Sequence, residues 1–294
     1  MKAPATRLDE TFARLRARGE RALVAYLMAG DPSLAETGRL VIEAERRGAD
    51  VIELGVPFSD PIADGPVIQR AGGRALAAGT SLPRVLEMVS TLRGQVSVPL
   101  VLMTHYNPVL AFGLKSFART AADAGADGVI VPDLPYEECE PLRAETEPAG
   151  LDIIQLVAPT STPARVKTLA RLSRGFVYLV SLTGITGERR ELPKDLDVQI
   201  RTLRLVTTKP VCVGFGVSTP EQVAAVGKLA DGVVVGSAIV RTIEAHANTP
   251  ALVDKVGEFI ALLKHPLRVG SSAGFAGATL GGKLERGAKP PSET

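Results

Sequence analysis

The chain is poor in cysteine and histidine and has no long apolar run, and each shortage excludes a class of protein. The 294 residues include only two cysteines, Cys139 and Cys212, far apart and in no metal-ligand spacing, so neither a disulfide framework nor a thiolate zinc site is expected. The three histidines, His105, His246 and His265, are scattered, and only His105 ends an apolar run, which argues against a histidine metal centre. No uninterrupted apolar stretch reaches the ~18 residues of a membrane span. Met1 to Arg21 mixes acids with arginines and lacks the apolar core of a signal peptide, so a cytoplasmic protein is expected. A formal charge of +2, from 34 basic and 32 acidic residues, leaves no polyanion footprint and makes a nucleic-acid partner unexpected.

At 45% hydrophobic content the composition is that of an ordinary globular chain with one large core. Short β-branched runs alternate with amphipathic stretches. The runs are Ala22 to Met28, Asp50 to Gly55, Pro99 to His105, Gly128 to Pro132, Asp152 to Ala158, Phe176 to Ser181, Val211 to Gly216 and Gly232 to Gly236, which makes eight strands. Helical patterns cover Leu34 to Arg47, Leu82 to Leu92, Leu114 to Ala124, Tyr136 to Thr146, Pro163 to Leu172, Val198 to Val206, Pro220 to Leu229 and Ala251 to Lys264, with Thr6 to Arg18 before the first strand. The junctions Gly48-Ala49-Asp50, Gly125-Ala126-Asp127-Gly128 and Ala230-Asp231-Gly232 repeat the end of a helix and the start of a strand. Near-continuous apolar strands imply a sheet covered on both faces. Eight βα units over about 250 residues fit an α/β fold of the (β/α)8 TIM-barrel type, with an extra N-terminal helix, better than an open sheet. Residues 1–269 are read as the barrel domain and the aperiodic, Gly-rich 270–294 as a disordered tail.

The run from Val51 to Pro66 places a carboxylate, Glu53, inside an apolar strand, where it is costly unless used or paired. A second acid, Asp64, follows in a loop stiffened by Pro57, Pro61 and Pro66. Two carboxylates on stiff backbone suggest acid-base chemistry, whereas Glu53 paired with an arginine or capping a helix is the structural alternative. Active sites of barrels lie at the C-terminal strand ends, and phosphate commonly binds by the loops after strands 7 and 8. Those ends read Gly214-Phe215-Gly216-Val217-Ser218 and Gly236-Ser237, either tight turns or a cradle of backbone N–H groups completed by a helix N-terminus. The loop after the sixth strand, Leu182 to Glu188, is Gly-rich, as a lid or a plain connector would be.

A Schiff-base mechanism needs a desolvated lysine at the barrel mouth, but all ten lysines fall on helical patterns, loops or termini. A Gly-x-Gly-x-x-Gly dinucleotide fingerprint is missing after the first strand. Proton transfer by carboxylates on a phosphorylated substrate remains, with Tyr178 either assisting or simply filling the core.

The stretch Glu53-Leu-Gly-Val-Pro-Phe-Ser-Asp-Pro-Ile-Ala-Asp-Gly-Pro66 resembles the signature of the tryptophan synthase alpha subunit family. Gly30-Asp31-Pro32, Asn107-Pro108, Pro132-Asp133-Leu134-Pro135, Gly184-Ile185-Thr186-Gly187 and Gly236-Ser237-Ala238-Ile239-Val240 support the resemblance, which runs from about Thr6 to Leu263. It implies a lyase that cleaves indole-3-glycerol phosphate to indole and glyceraldehyde 3-phosphate. No cofactor is implied in this chain. Indole would pass to a beta subunit carrying pyridoxal phosphate (PLP), in an alpha2beta2 heterotetramer. On matching positions, the resemblance makes Glu53 the acid-base group, Asp64 the partner of the indole N–H and Tyr178 an aid to positioning. Tyr26 and Phe215 would wall the indole, and Thr186, Gly187, Gly216, Gly236 and Ser237 would bind the substrate around its phosphate. Asp60, Pro61, Asn107, Asp133 and Pro135 would face the beta subunit. Two positions depart from the pattern: His105 stands where Tyr is expected, and Leu182 where some members have Arg. A free-standing lyase that releases indole, a non-catalytic alpha-like activator and a different phosphosugar-binding barrel are the rival readings.

Overall fold

A computed structural model describes residues 5–62, 64–180, 195–214 and 216–269. Nine parallel strands form its sheet: β1 (Ala22–Met28), β2 (Val51–Gly55), β3 (Leu100–Met103), β4 (Gly128–Ile130), β5 (Asp152–Ile153), β6 (Leu156–Val157), β7 (Val177–Val180), β8 (Val211–Gly214) and β9 (Gly232–Val235). Their spatial order is β5-β4-β3-β2-β1-β9-β8-β7-β6. The two ends of that order are halves of the single stretch Asp152 to Val157. Ile154 donates its N–H to the Val129 carbonyl at 3.0 Å on one side, and the Gln155 carbonyl accepts from the Tyr178 N–H at 3.1 Å on the other. The sheet therefore curls back on itself through its fifth run, and the eight expected strands are present with that run split in two.

Alternation inside each strand sorts its side chains into two cores. Leu23, Ala25, Leu27, Ile52, Leu54, Leu100, Leu102, Val177, Leu179, Val211, Val213, Val233 and Val235 face the helices. Ala22, Val24, Val51, Val101, Ile130, Ile154, Tyr178, Cys212 and Val234 face inward and meet Leu8, Phe12 and Leu15. Those three residues belong to the Arg7–Arg18 helix, whose capping box between Thr6 and Asp9 fixes its start. The helix plugs the N-terminal end of the barrel. Gly175, at φ 67°, leaves it room, since a Cβ there would lie 2.8 Å from Leu8 Cδ1.

The recurring Asp of the helix–strand junctions has a common task. The Leu23, Leu100 and Val211 N–H groups donate to Asp50, Asp127 and Asp231, each at 2.8 Å. Each carboxylate thus satisfies an N–H at the start of the preceding strand, and Lys264, Arg93 and Arg204 respectively neutralise them. Lys264, only 2% exposed, holds the C-terminal helix against the barrel floor in this way.

Three helices absent from the sequence expectations are present: Pro66–Ala77, Tyr106–Phe112 and Ser237–His246. The last helix runs Leu252–Val269 and continues through Pro266. The carbonyl four residues earlier, which proline leaves without its helical donor, belongs to Leu262, a residue exposed to solvent. Among the described residues no helix is long and apolar enough to cross a membrane. The expected tail at 270–294 lies outside the described residues.

Candidate active site

The inward-facing side chains at the carboxyl ends of β1, β2, β3 and β7 converge on one cleft. Tyr26, Glu53, Asp64, Gly65, Ile68, Met103, Tyr178, Gly216, Val234, Gly236 and Ser237 line it. Glu53 is the register partner of Tyr26 on β1 and of Val101 on β3. It is 1% exposed, and its Oε2 has no hydrogen-bond partner. Burial, reinforced by the charge of Asp64, pushes its carboxyl up to about 8. Among the described residues no arginine pairs with Glu53, so an ion pair does not account for its burial.

Two glycines make room for the phenols beside it. A Cβ on Gly55 would lie 2.1 Å from Tyr26 Oη, and one on Gly214 would lie 2.3 Å from Tyr178 Oη. Tyr26 thus leans over the end of β2 and Tyr178 over the end of β8. Burial first, then neighbouring carboxylates including Glu53, raises both phenols well above their usual range, so they stay protonated.

Asp64 is half-buried at the cleft edge. Its N–H donates to the Pro61 carbonyl at 3.1 Å, and its own carbonyl accepts from Gln69 Nε2 at 2.9 Å, which ties the loop to the Pro66–Ala77 helix. Pro66 begins that helix at the position where its missing N–H costs nothing. Burial raises the Asp64 carboxyl above its usual range, and a smaller contribution from His105 opposes it. Both carboxyls of the cleft are thus pushed up by burial, Glu53 to about 8.

Across the mouth, Gly216 at φ 83° and Gly236 present backbone at close range, and Ser237 opens the Ser237–His246 helix. The positive end of that helix points at the cleft, which suits an anionic group. Thr186, Gly187 and Phe215, expected from sequence around the same group, lie outside the described residues, as does Leu182. Asp60, Asn107, Asp133 and Pro135 are exposed and Pro61 half-exposed on the rim. Asp133 also accepts from the Tyr106 N–H at 3.0 and 3.1 Å, anchoring the start of the Tyr106–Phe112 helix.

A larger cavity, about 240 Å³ against about 60 Å³ for the cleft, lies beneath Val131 to Tyr136. It shares no residue with the cleft, and its only acid is Asp133 at the rim, so chemistry rather than size identifies the site. Among the described residues no three His, Cys, Asp or Glu side chains converge as metal ligands.

Sequence reasoning missed one group of residues that shapes this site. Arg74 grips Asp31 with two bonds of 2.8 Å and reaches Glu244 at 2.8 Å, while Arg70 holds Glu244 with two bonds of 2.9 Å. The two arginines hold the Glu244 carboxyl down to about 2. This network joins the loop after β1, the helix that follows Asp64 and the helix that starts at Ser237. No spacing in the sequence announces it.

Fold and cleft together define a (β/α)8-barrel enzyme with its reactive groups at the carboxyl ends of the strands. The family model described as tryptophan synthase alpha chain matches residues 12–265. A tryptophan synthase alpha chain of Citrifermentans bemidjiense is 49% identical over 90% of this chain and 99% of its own length. Another from Solibacter usitatus is 50% identical, covering 88% and 97%. Mycobacterium tuberculosis tryptophan synthase superposes with a TM-score of 0.84 at 37% identity, over 91% of this chain and all of that one. The Legionella pneumophila subunit alpha gives 0.83 at 36% identity, covering 90% and 99%. The chain belongs to the tryptophan synthase alpha chain family.

Proposed function

We propose that this chain carries out the alpha reaction of tryptophan biosynthesis: it is a lyase that splits indole-3-glycerol phosphate into indole and D-glyceraldehyde 3-phosphate. The observation that carries the reading is Glu53, a buried carboxyl with no cationic partner among the described residues, which burial pushes up to about 8.

Protonated Glu53 donates to indole C3, leaving positive charge on the ring nitrogen. The bond from C3 to the carbinol carbon then breaks, and its electron pair restores the indole double bond and neutralises the nitrogen. As that carbon becomes the aldehyde, its hydroxyl proton returns to Glu53. One proton leaves and one comes back, so the acid is ready for the next turnover. Ionised Asp64 faces the ring N–H and stabilises the cation formed in between. Tyr178 positions Glu53 and the glycerol chain, and Tyr26 walls the ring with Phe215. Gly216, Gly236 and Ser237, with Thr186 and Gly187, take the phosphate on backbone N–H groups.

Indole then passes to a beta subunit that carries PLP, across a face formed by Asp60, Pro61, Asn107, Asp133 and Pro135. The assembly is alpha2beta2, this chain contributes no cofactor, and the complex works in the cytoplasm. Exposure of all five residues on the cleft rim supports that placement. Family membership disfavours a free-standing lyase, and the retained pair of carboxylates disfavours a non-catalytic activator. Indole release from indole-3-glycerol phosphate, assayed with and without a beta subunit, tests the reading. Release that is slow alone and faster in the complex supports it, and no release in either case refutes it.

A further inference from the structure

Gln155 stands between β5 and β6, where its neighbours two positions away, Ile153 and Val157, belong to the core that faces the helices. Alternation turns its side chain the same way, so a neutral amide is set among apolar groups and is only 7% exposed. Its Nε2 donates to Cys139 Sγ, on the helix side, at 3.7 Å. That contact to a weak acceptor is the side chain's one hydrogen bond among the described residues, and the amide oxygen accepts none. A buried amide costs free energy unless its polar atoms find partners, so this one calls for an explanation. The cavity of about 240 Å³ beneath Val131 to Tyr136 adjoins it: Gln155 and Cys139 line that space with Leu134, Leu142 and Ile153. We propose that this cavity is a second ligand site, which takes a neutral, planar aromatic heterocycle and holds its ring N–H on the Gln155 amide oxygen.

Size, charge and shape set the class of ligand. A dry apolar cavity of roughly 150 Å³ holds benzene, and drug-sized molecules need roughly 300 Å³ or more, so about 240 Å³ suits a two-ring compound. Both charged side chains of the lining are engaged. Arg165 is paired with Glu137 at 2.5 Å, and Asp133 accepts from the Tyr106 N–H at 3.0 Å. An ionic ligand would have to displace one of these contacts, whereas a neutral one leaves them in place. Arg165 also lies over the Tyr136 ring, 4.6 Å from its centroid, and the stack holds a flat phenol against the cavity. Apolar walls take the faces of a ring and the amide takes its one polar atom, the division of tasks found in small-molecule sites. The loop after β4 supplies the roof, so the cavity lies at the same end of the barrel as the cleft, yet the two share no residue.

The inference does not rest on the cleavage reaction. Indole is the probe, a neutral bicycle with one ring N–H, and N-methylindole, which lacks that N–H, is its control. Because the proposed reaction also puts indole in the cleft, the two sites must be read separately. Ile153 lines the cavity and Ile68 the cleft, so methyl NMR of the full chain, assigned with Ile153→Val and Ile68→Val, reports each one. Asp133 and Pro135, which line the cavity, belong to the proposed beta-subunit face, so the titration is run without a partner. The Ile153 methyl should shift saturably with a midpoint of about 1 mM or below, within what roughly nine heavy atoms can supply. N-methylindole should bind there about three- to tenfold more weakly, the worth of one hydrogen bond. Gln155→Met keeps an unbranched side chain without the amide oxygen and should bring the two probes within about twofold of each other. An Ile153 shift that stays linear with indole, or shifts confined to Ile68, overturns the site. Equal midpoints for the two probes in wild type overturn the role of Gln155, and that comparison needs no variant. Protein that leaves indole-3-glycerol phosphate intact overturns the functional reading alone, and the titration still decides the cavity.

Discussion

Tyr26 and Glu53 lie opposite one another on β1 and β2, and both point into the barrel, where each is at most 6% exposed. The phenol passes over the end of β2 because residue 55 has no side chain. This contact couples the wall of the cleft to its acid and makes Gly55 a structural requirement of the site.

Gly55→Ala should therefore disturb the cleft before the fold. The added methyl meets Tyr26 Oη at 2.1 Å and Cζ at 2.7 Å, so the ring must move. Overpacking of this kind costs about 1–3 kcal/mol, and kcat/KM should fall at least about tenfold as the ring invades the indole space. Adding Tyr26→Phe removes the nearer clash only and should restore part of both losses, as urea melts and kinetics of the double mutant would show.

Glu53 should limit stability at the pH where it works. Its folded value, about 8, lies above the ordinary 4.5, so the folded state binds the extra proton between those limits. The associated stability is complete below pH 4.5 and is lost as pH rises through 8. Glu53→Gln cannot ionise and should melt several degrees higher than wild type at pH 8.5, with the gap closing toward pH 4.5. A gap independent of pH would place the proton elsewhere.

Arg74→Met should cost about 2–4 kcal/mol, because it strands the Asp31 carboxylate, whose side chain is 0% exposed; the figure allows for the one-third exposure of Arg74. Glu244→Gln, at the solvent side of the same network, should cost less than about 1 kcal/mol. Denaturant titration separates the two. KM should rise in Arg74→Met, because the helix that begins at Ser237 loses its tie to the loop after β1.

The strands were legible as short, near-continuous apolar runs, the pattern of a sheet covered on both faces. Which residues face inward, as Val51 and Val101 do, and which face the helices, as Ile52, Leu54, Leu100 and Leu102 do, shows only in the packed barrel. The Gly-Ala-Asp junctions were legible because the same N–H must be satisfied at each one. The Pro66–Ala77 helix was hidden by Gly72, Gly73 and Pro66, which read as loop although tertiary packing buries Ile68, Ala71 and Ala75. Glu53 and Asp64 announced themselves as acids near stiff turns. The network of Arg74, Asp31 and Glu244 joins positions 43 and 170 residues apart, and no local pattern encodes such a meeting. His105 was visible only as a departure at a strand end, since the burial of its ring is a property of the packed chain.

The rim should behave as an interface. Asp60 is exposed, accepts from Ser59 Oγ at 2.5 Å and precedes Ile62, which is 88% exposed. Asp60→Ala should leave the slow rate of the isolated chain nearly intact and weaken activation by a beta subunit by about fivefold or more. Unchanged activation would move the partner to another face.

The most direct measurement is indole release by the complex with a beta subunit across pH 6 to 10, in wild type and Glu53→Gln. Loss of the proton donor should bring kcat down as pH rises through about 8, and the Gln variant should fall by ~10² to 10⁴ with its fold intact. A Gln variant that keeps more than about half of wild-type kcat, or a rate unchanged through pH 8, would contradict the assignment of Glu53 as the acid of this barrel.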